Sequence, residues 1–235
     1  MRRLRILITD GDPVLRTAIS NNLRSADNEI FQAADEDEAI QVIEKESPDL
    51  IITDIMLPNV DICRRIREIS HANIIVISTL VDNEMYKIKC LNAGVDGFLP
   101  KPFSMQDLVA CTEPILKRNA EGISKVEPAK TSLVSGELKI EFAARRVTIS
   151  NRDIKLSPTE FDILKELALN AGKVLTHNLL ISRIWGSEYC HEREYLRIFV
   201  NRLRRKLELT PGKPKMIVTI PWIGYKLNLP ESRMN

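Results

Sequence analysis

Short apolar runs alternate with longer stretches of helical period through the first half of the chain. Residues 4–9, 50–53 and 74–78 are rich in β-branched residues and almost continuously hydrophobic, and residues 97–99 form a weaker fourth run. That is the signature of strands buried on both faces of a parallel sheet. Between the runs, residues 14–25 place Leu15, Ala18, Ile19 and Leu23 on one helical face, residues 37–45 do the same with Ala39, Ile40 and Ile43, and residues 62–69 and 83–93 follow suit. Alternation of strand and helix predicts right-handed βαβ crossovers and a doubly wound α/β domain.

The pattern changes after residue 118. Residues 119–132 are polar, contain Gly122 and Pro128, show no apolar period and read as a flexible tether. Three short alternating runs follow at residues 137–142, 146–150 and 154–156, separated by Ala143-Ala144 and Asn151-Arg152-Asp153, which predicts a small antiparallel sheet. Ser157-Pro158-Thr159-Glu160 then supplies an N-cap, a first-turn proline and a capping-box glutamate for a helix that runs to about Asn170 and stops at Gly172. Thr176 caps a second helix, ended by Gly186. A third helix over 195–207 carries Leu196, Phe199, Leu203 and Leu207 as its buried stripe, with Arg197, Asn201, Arg204 and Arg205 opposite and Arg202 alongside. Residues 215–220 and 225–229, joined through Pro221-Trp222-Ile223-Gly224, complete a hairpin that holds Lys226.

Length sharpens this into two domains, since 235 residues exceed a typical single α/β unit. The expected division is 1–118, a linker at 119–132, and 133–235. Charge separates the halves: residues 1–118 hold 14 Lys/Arg against 19 Asp/Glu, while residues 119–235 hold 20 against 13. An acidic half joined to a basic half points to a polyanionic partner for the second alone. Cys63, Cys90, Cys111 and Cys190 lack C-x-x-C spacing and read as reduced, packed thiols of a cytoplasmic protein. No stretch reaches the roughly 18 apolar residues that a membrane span needs, and Asp10 and Asp12 interrupt the N-terminal apolar run, so no membrane partner is expected.

Candidate chemistry sits at the ends of the predicted parallel strands. Ligands of such sheets bind beyond the carboxyl ends of the strands, and Asp10, Asp54, Ser78 and Lys101 all fall there. Carboxylates gathered at one edge suit a hard dication such as Mg²⁺, which stabilises phosphoryl transfer to one of them, with Ser78 and Lys101 on the phosphoryl oxygens. Read individually, Asp10 and Asp12 equally suit the capping of a helix that starts near Pro13. The divided third helix of the second half suits a major groove, its apolar stripe on the domain and its Arg and Asn side chains toward bases and phosphates.

The order Asp10, Asp54 followed by Ile-Met-Leu-Pro58, Ser78, then Lys101-Pro102-Phe103 resembles the receiver domain of two-component response regulators, over residues 4–118. The resemblance implies a five-stranded parallel sheet, with Asp54 as phosphoacceptor and Asp10, Asp54 and the Met56 carbonyl as Mg²⁺ ligands. It further implies Ser78 as the switch hydroxyl and Phe98 as the switch aromatic. Gly11 occupies the position of a further coordinating carboxylate of that family, with Asp12 as a candidate stand-in. The chain also departs from the family in a shorter loop after Pro58, and Pro114 is expected to bend or delay the last receiver helix.

Leu156-Ser-Pro-Thr-Glu-Phe161, Ile184-Trp-Gly186 and Arg202-Leu-Arg-Arg-Lys-Leu207 resemble the α+β winged-helix effector domain of the OmpR/PhoB family. Asn170 to Thr176 and Tyr195 to Ile198 are most similar to the potassium-transport (Kdp) regulator within it. The resemblance implies a promoter-binding dimer driven by a sensor histidine kinase, with Arg197, Asn201, Arg202, Arg204, Arg205 and Lys226 on DNA and residues 187–194 facing RNA polymerase. Two other readings stand beside it. One is a regulator of the same fold that dimerises and binds DNA without phosphorylation; the other is a phosphotransfer or phosphatase enzyme. The last is opposed by Ile55-Met56 after Asp54, which leaves no general acid two residues on.

Overall fold

Ten elements alternate through the first part of the chain, and each apolar run becomes a parallel strand. In order they are β1 (Leu4–Thr9), α1 (Pro13–Leu23), β2 (Asn28–Ala33), α2 (Glu36–Glu46), β3 (Leu50–Asp54), α3 (Asp61–Ile69), β4 (Asn73–Ser78), α4 (Glu84–Ala93), β5 (Gly97–Pro100) and α5 (Met105–Glu121). This computed structural model describes residues 3–24, 28–54, 60–80, 83–121, 132–186, 193–208, 210, 212 and 214–229. The chain divides into two compact units, Met1–Ala120 and Glu121–Asn235. Most of the tether expected at 119–132 lies outside the described residues, and Ser132 already begins a strand.

The sheet of the first unit has the order β2-β1-β3-β4-β5, with every neighbouring pair parallel. Its strand order reverses between β1 and β3, and this reversal places the ends of those two strands side by side. Leu50, Ile51, Ile52, Ile74, Ile75 and Val76 are essentially inaccessible, so helices cover both faces. The fifth strand, β2, lies at the sheet edge with most residues part-exposed, so it never needed the continuous hydrophobic run that marks the others.

Pro114 falls inside α5, which starts at Met105 and runs without interruption past it. The expected delay of the helix does not occur. Its start is set earlier by a reciprocal cap, in which Ser104 N–H and Oγ meet Asp107 Oδ2 and the Asp107 N–H donates to Ser104 Oγ at 3.1 Å.

The second unit opens with β6 (Ser132–Ser135), β7 (Leu138–Glu141), β8 (Arg146–Ile149) and β9 (Arg152–Asp153), an antiparallel four-stranded sheet. The runs at 137–142 and 146–150 become β7 and β8. Residues 154–156 form no strand; the pairing closes earlier, where Ile149 meets Arg152. Next come α6 (Pro158–Leu169), β10 (Val174–Thr176), α7 (His177–Ile184), α8 (Arg193–Leu207), β11 (Ile217–Ile220) and β12 (Gly224–Leu227). Ser157 and Glu160 form the expected capping box, and Thr176 Oγ1 accepts from Leu179 N–H at the start of α7.

Strands β10, β12 and β11 form a second antiparallel sheet, the wing. Gly224 is required there: a Cβ would lie 1.9 Å from the Leu175 carbonyl oxygen of β10. Phe199 and Leu203 of α8 are fully buried, and Trp185 at the end of α7 packs on the Phe199 ring at 5.5 Å. Among the described residues no helix is long and apolar enough to cross a membrane.

Candidate functional site

The carboxyl edge of the first sheet gathers residues that are far apart in sequence. Asp10 follows β1, Asp54 ends β3, Ser78 ends β4 and Lys101 follows β5. Lys101 Nζ donates to Asp10 Oδ2 at 2.9 Å and to Asp54 Oδ2 at 2.8 Å, bridging a buried carboxylate and a part-exposed one. Its backbone N–H donates to the Ser78 carbonyl at 3.0 Å, which fixes β5's exit against β4. Burial pulls the Lys101 pKa down, but hydrogen bonds to Asp54 and Asp10 and their charges outweigh it and hold the ammonium above its ordinary 10.5.

Neighbouring groups take more local parts. Asp12 is the N-cap of α1: its Oδ1 accepts from Val14 N–H at 2.8 Å, and its own N–H donates to Asp10 Oδ1 at 2.8 Å. The cap therefore occupies an oxygen of the residue proposed as stand-in ligand. Gly11 is exposed, and nothing lies within 4 Å of the position a Cβ would take. Among the described residues no group of three or more His, Cys, Asp or Glu is placed to hold a metal ion, and Met56 lies outside them.

Ser78 is 2 % exposed, and its Oγ accepts from Leu80 N–H at 3.2 Å. Phe98 is buried within β5. The hydroxyl near Ser78 comes instead from Tyr86 of α4, which shares side-chain hydrogen bonds with Ser78 and Cys90 and whose pKa burial drives upward. Sequence inspection missed Tyr86, because nothing in a helical period tells which aromatic will lean toward a strand end.

The cationic face of α8 divides into two groups. Arg197, Asn201 and Arg205 are exposed, Arg197 with an ion pair to Glu194 at 3.0 Å. Arg202 is not on that face: its side chain is 11 % exposed and its Nε lies 2.8 Å from Oε1 of the fully buried Glu160. Lys206 Nζ donates to the other oxygen of Glu160 at 2.5 Å. Arg204 is also committed within the fold, donating from Nε and Nη2 to the Ile217 carbonyl at 3.0 and 2.8 Å and from Nη2 to Thr219 Oγ1 at 2.7 Å. It straps α8 to β11. Lys226 is half-buried on β12. The capping box made Glu160 visible in the sequence, but not that its carboxylate would anchor two cations of a helix more than forty residues later.

Residues 6–113 match the family described as response regulator receiver domain, and residues 151–227 match the family described as transcriptional regulatory protein, C terminal. The response regulator MprA of Mycobacterium sp. strain KMS is 32 % identical over 227 residues, covering 95 % of this chain and 97 % of that protein. The DNA-binding response regulator MtrA of Mycolicibacterium smegmatis is 32 % identical over 231 residues, 97 % of this chain and 98 % of its own. The chain belongs to the OmpR/PhoB family of response regulators. A solved structure of a RitR variant shares the fold, with a TM-score of 0.77 at 20 % identity over 96 % of this chain and 99 % of that one. Within the OmpR/PhoB architecture the first unit is the receiver and the second the winged-helix effector. DNA and a histidine kinase are the partners that this pairing of domains implies.

Receiver domains generally bind Mg²⁺ at the phosphorylation site. Mg²⁺ selects hard oxygen donors in octahedral geometry and keeps several waters. Asp10 and Asp54 are donors of that kind, so the site fits the ion in chemistry. It brings two side-chain carboxylates to it, with no third from Gly11.

Proposed function

We propose that Asp54 is the phosphoacceptor of a DNA-binding transcriptional regulator, fed by a sensor histidine kinase. The supporting observation is the Lys101 bridge, which holds an ammonium against Asp54 Oδ2 beside Ser78 at one sheet edge. An Asp54 carboxylate oxygen forms the new bond to phosphorus as the bond to the donor's leaving group breaks. Lys101 Nζ then follows the charge onto a phosphoryl oxygen, and the Ser78 hydroxyl contacts another. Asp10, Asp54 and the Met56 carbonyl would hold Mg²⁺, which supplies charge neutralisation of the phosphoryl oxygens.

The output is promoter binding by a dimer, with α8 in the major groove. Arg197, Asn201 and Arg205 face the DNA there, and Lys226 lies toward a flanking phosphate. Residues 187–194, of which 187–192 lie outside the described residues, meet RNA polymerase in this reading, and the sequence of 170–176 and 195–198 favours a Kdp-like effector. The chain acts as a switch rather than a turnover enzyme, because Asp54 lacks a general acid two residues on. Incubation with acetyl phosphate and millimolar Mg²⁺, followed by Phos-tag electrophoresis and mass spectrometry, is expected to show one phosphoryl group on Asp54. An unmodified Asp54 overturns the assignment.

Gly11 favours a second reading, an atypical receiver whose output does not need phosphorylation. An Asp54→Asn variant that keeps full promoter binding and activation would establish it.

A further inference from the structure

The Ser78 hydroxyl, assigned above to a phosphoryl oxygen, already has partners inside the fold. Its Oγ accepts from Leu80 N–H at 3.2 Å, and it shares a side-chain hydrogen bond with the hydroxyl of Tyr86 on α4. Tyr86 shares a second one with the Cys90 thiol, one turn further along the same helix. Burial raises the Cys90 pKa and the bond from Tyr86 opposes that rise, as a donor to the sulfur does. A phenol has one proton. With that proton on Cys90, the Tyr86 oxygen is left to accept from Ser78, and the single proton of Ser78 is spent on it.

A phosphoryl oxygen on Asp54 only accepts. To bond it, Ser78 must turn its proton away from Tyr86, and a phenol oxygen in a residue only 6 % exposed then loses its donor. The loss is felt at the start of α4, because Tyr86 belongs to the first turn, where its N–H donates to the capping Asn83 Oδ1 at 3.1 Å. Strand β5 offers no substitute: Phe98, paired with Val76 of β4, is buried and has no hydroxyl. Met85 and Ile88, on either side of Tyr86 in sequence, are exposed, so a shift in this turn alters the surface of the receiver.

We infer that Tyr86 is a positioning residue of the phosphorylation switch: its hydroxyl holds the Ser78 proton in the unphosphorylated state and gives it up when Ser78 turns to the Asp54 phosphoryl group, which loosens the first turn of α4. The inference rests on the reading of Asp54 as phosphoacceptor.

The test uses the full chain with Mg²⁺ and beryllofluoride, a phosphoryl mimic whose uptake on Asp54 is read by ¹⁹F NMR titration. Tyr86→Phe keeps the ring and deletes the acceptor, so Ser78 has no bond to break, and the mimic should bind about fivefold more tightly, the scale of one hydrogen bond. Ser78→Ala should bind it more weakly. Adding Tyr86→Phe to Ser78→Ala should change affinity by less than about twofold, because the bond between the two side chains is already gone. Amide hydrogen exchange over residues 84–88 should quicken when the wild type takes up the mimic, and in Tyr86→Phe it should be fast beforehand and respond little. Equal mimic affinity of Tyr86→Phe and wild type overturns the inference. So does a gain that persists in the Ser78→Ala background, which would make Tyr86 a packing residue that acts without Ser78. Wild-type exchange in α4 that bound mimic leaves unmoved overturns it as well. A wild-type chain that takes up no beryllofluoride removes the Asp54 reading itself, and this inference with it.

Discussion

Gly11 stands where the resemblance to receiver domains places a further coordinating carboxylate, and the space around it makes that reading testable. Its φ lies outside the left-handed region and a Cβ there meets nothing within 4 Å, so Gly11→Asp is sterically free. The added carboxylate joins Asp10 and Asp54, and Mg²⁺ affinity measured by titration calorimetry should rise about tenfold or more, the scale of one charge-assisted contact. An unchanged affinity would mean that the position does not face the ion. Glu160 poses the opposite case, a buried charge that already has partners. Arg202→Ala leaves that carboxylate with Lys206 and the Ser157 N–H of the capping box, and should cost about 2 kcal/mol of effector stability in denaturant unfolding. Arg205→Ala, from an exposed site, should leave stability nearly unchanged and weaken DNA binding instead. Both are arginines of one helix, and their packing separates them: Arg202 is tied to Glu160, and Arg205 is exposed where the proposed DNA contact needs it.

At the scale of elements, α7 carries a proton-linked effect. His177 is its first residue, half-buried with its ring edge-on to Tyr225 at 5.3 Å. Burial first, then the nearby Arg193 charge, push its pKa below the ordinary 6.5. The unfolded chain therefore takes up this proton at a higher pH than the folded one. Stability from this group is complete above 6.5 and declines as pH falls through the depressed folded value. Urea midpoints compared between pH 7.5 and about 5.5 should fall more for wild type than for His177→Gln. The same scale explains which elements were legible. Strands β1, β3 and β4 announced themselves because burial on both faces demands continuous hydrophobicity. Strand β2, at an edge, and β9 and β10, of two and three residues, left no such signature. Pro114 misled in the other direction: a helix held by its cap and by buried Leu108, Cys111 and Ile115 accommodates one missing donor.

Across the whole chain, charge is divided as the two roles require. The receiver half is net acidic and the effector half net basic. Duplex affinity should fall steeply with salt, and if Arg197, Arg205 and Lys226 each neutralise a phosphate, the log–log slope should be about −3. Arg205→Ala should shrink it by about one. Arg204→Ala should not act in that way, because its guanidinium is spent on Ile217 and Thr219 and its loss loosens the wing. A slope that responds to Arg204 and not to Arg205 would reverse the assignment of the two faces of α8.

The sequence by itself determined the two-part plan, the parallel sheet, the helix caps at Ser157 and Thr176, and the placing of Asp10, Asp54, Ser78 and Lys101 at strand ends. These follow from local rules: hydrophobic period, capping chemistry, and the position of a residue along its own strand. Tertiary structure alone decided which side chains meet. It joined Lys101 to both aspartates, gave Asp12 to the start of α1, turned Tyr86 toward Ser78, drew Arg202 and Lys206 onto Glu160, and left Trp222 alone at the wing tip. Periodicity fixes the face of a helix but not which residue of another element that face will meet. Such pairings depend on how whole elements pack, and packing is a property of the assembled chain.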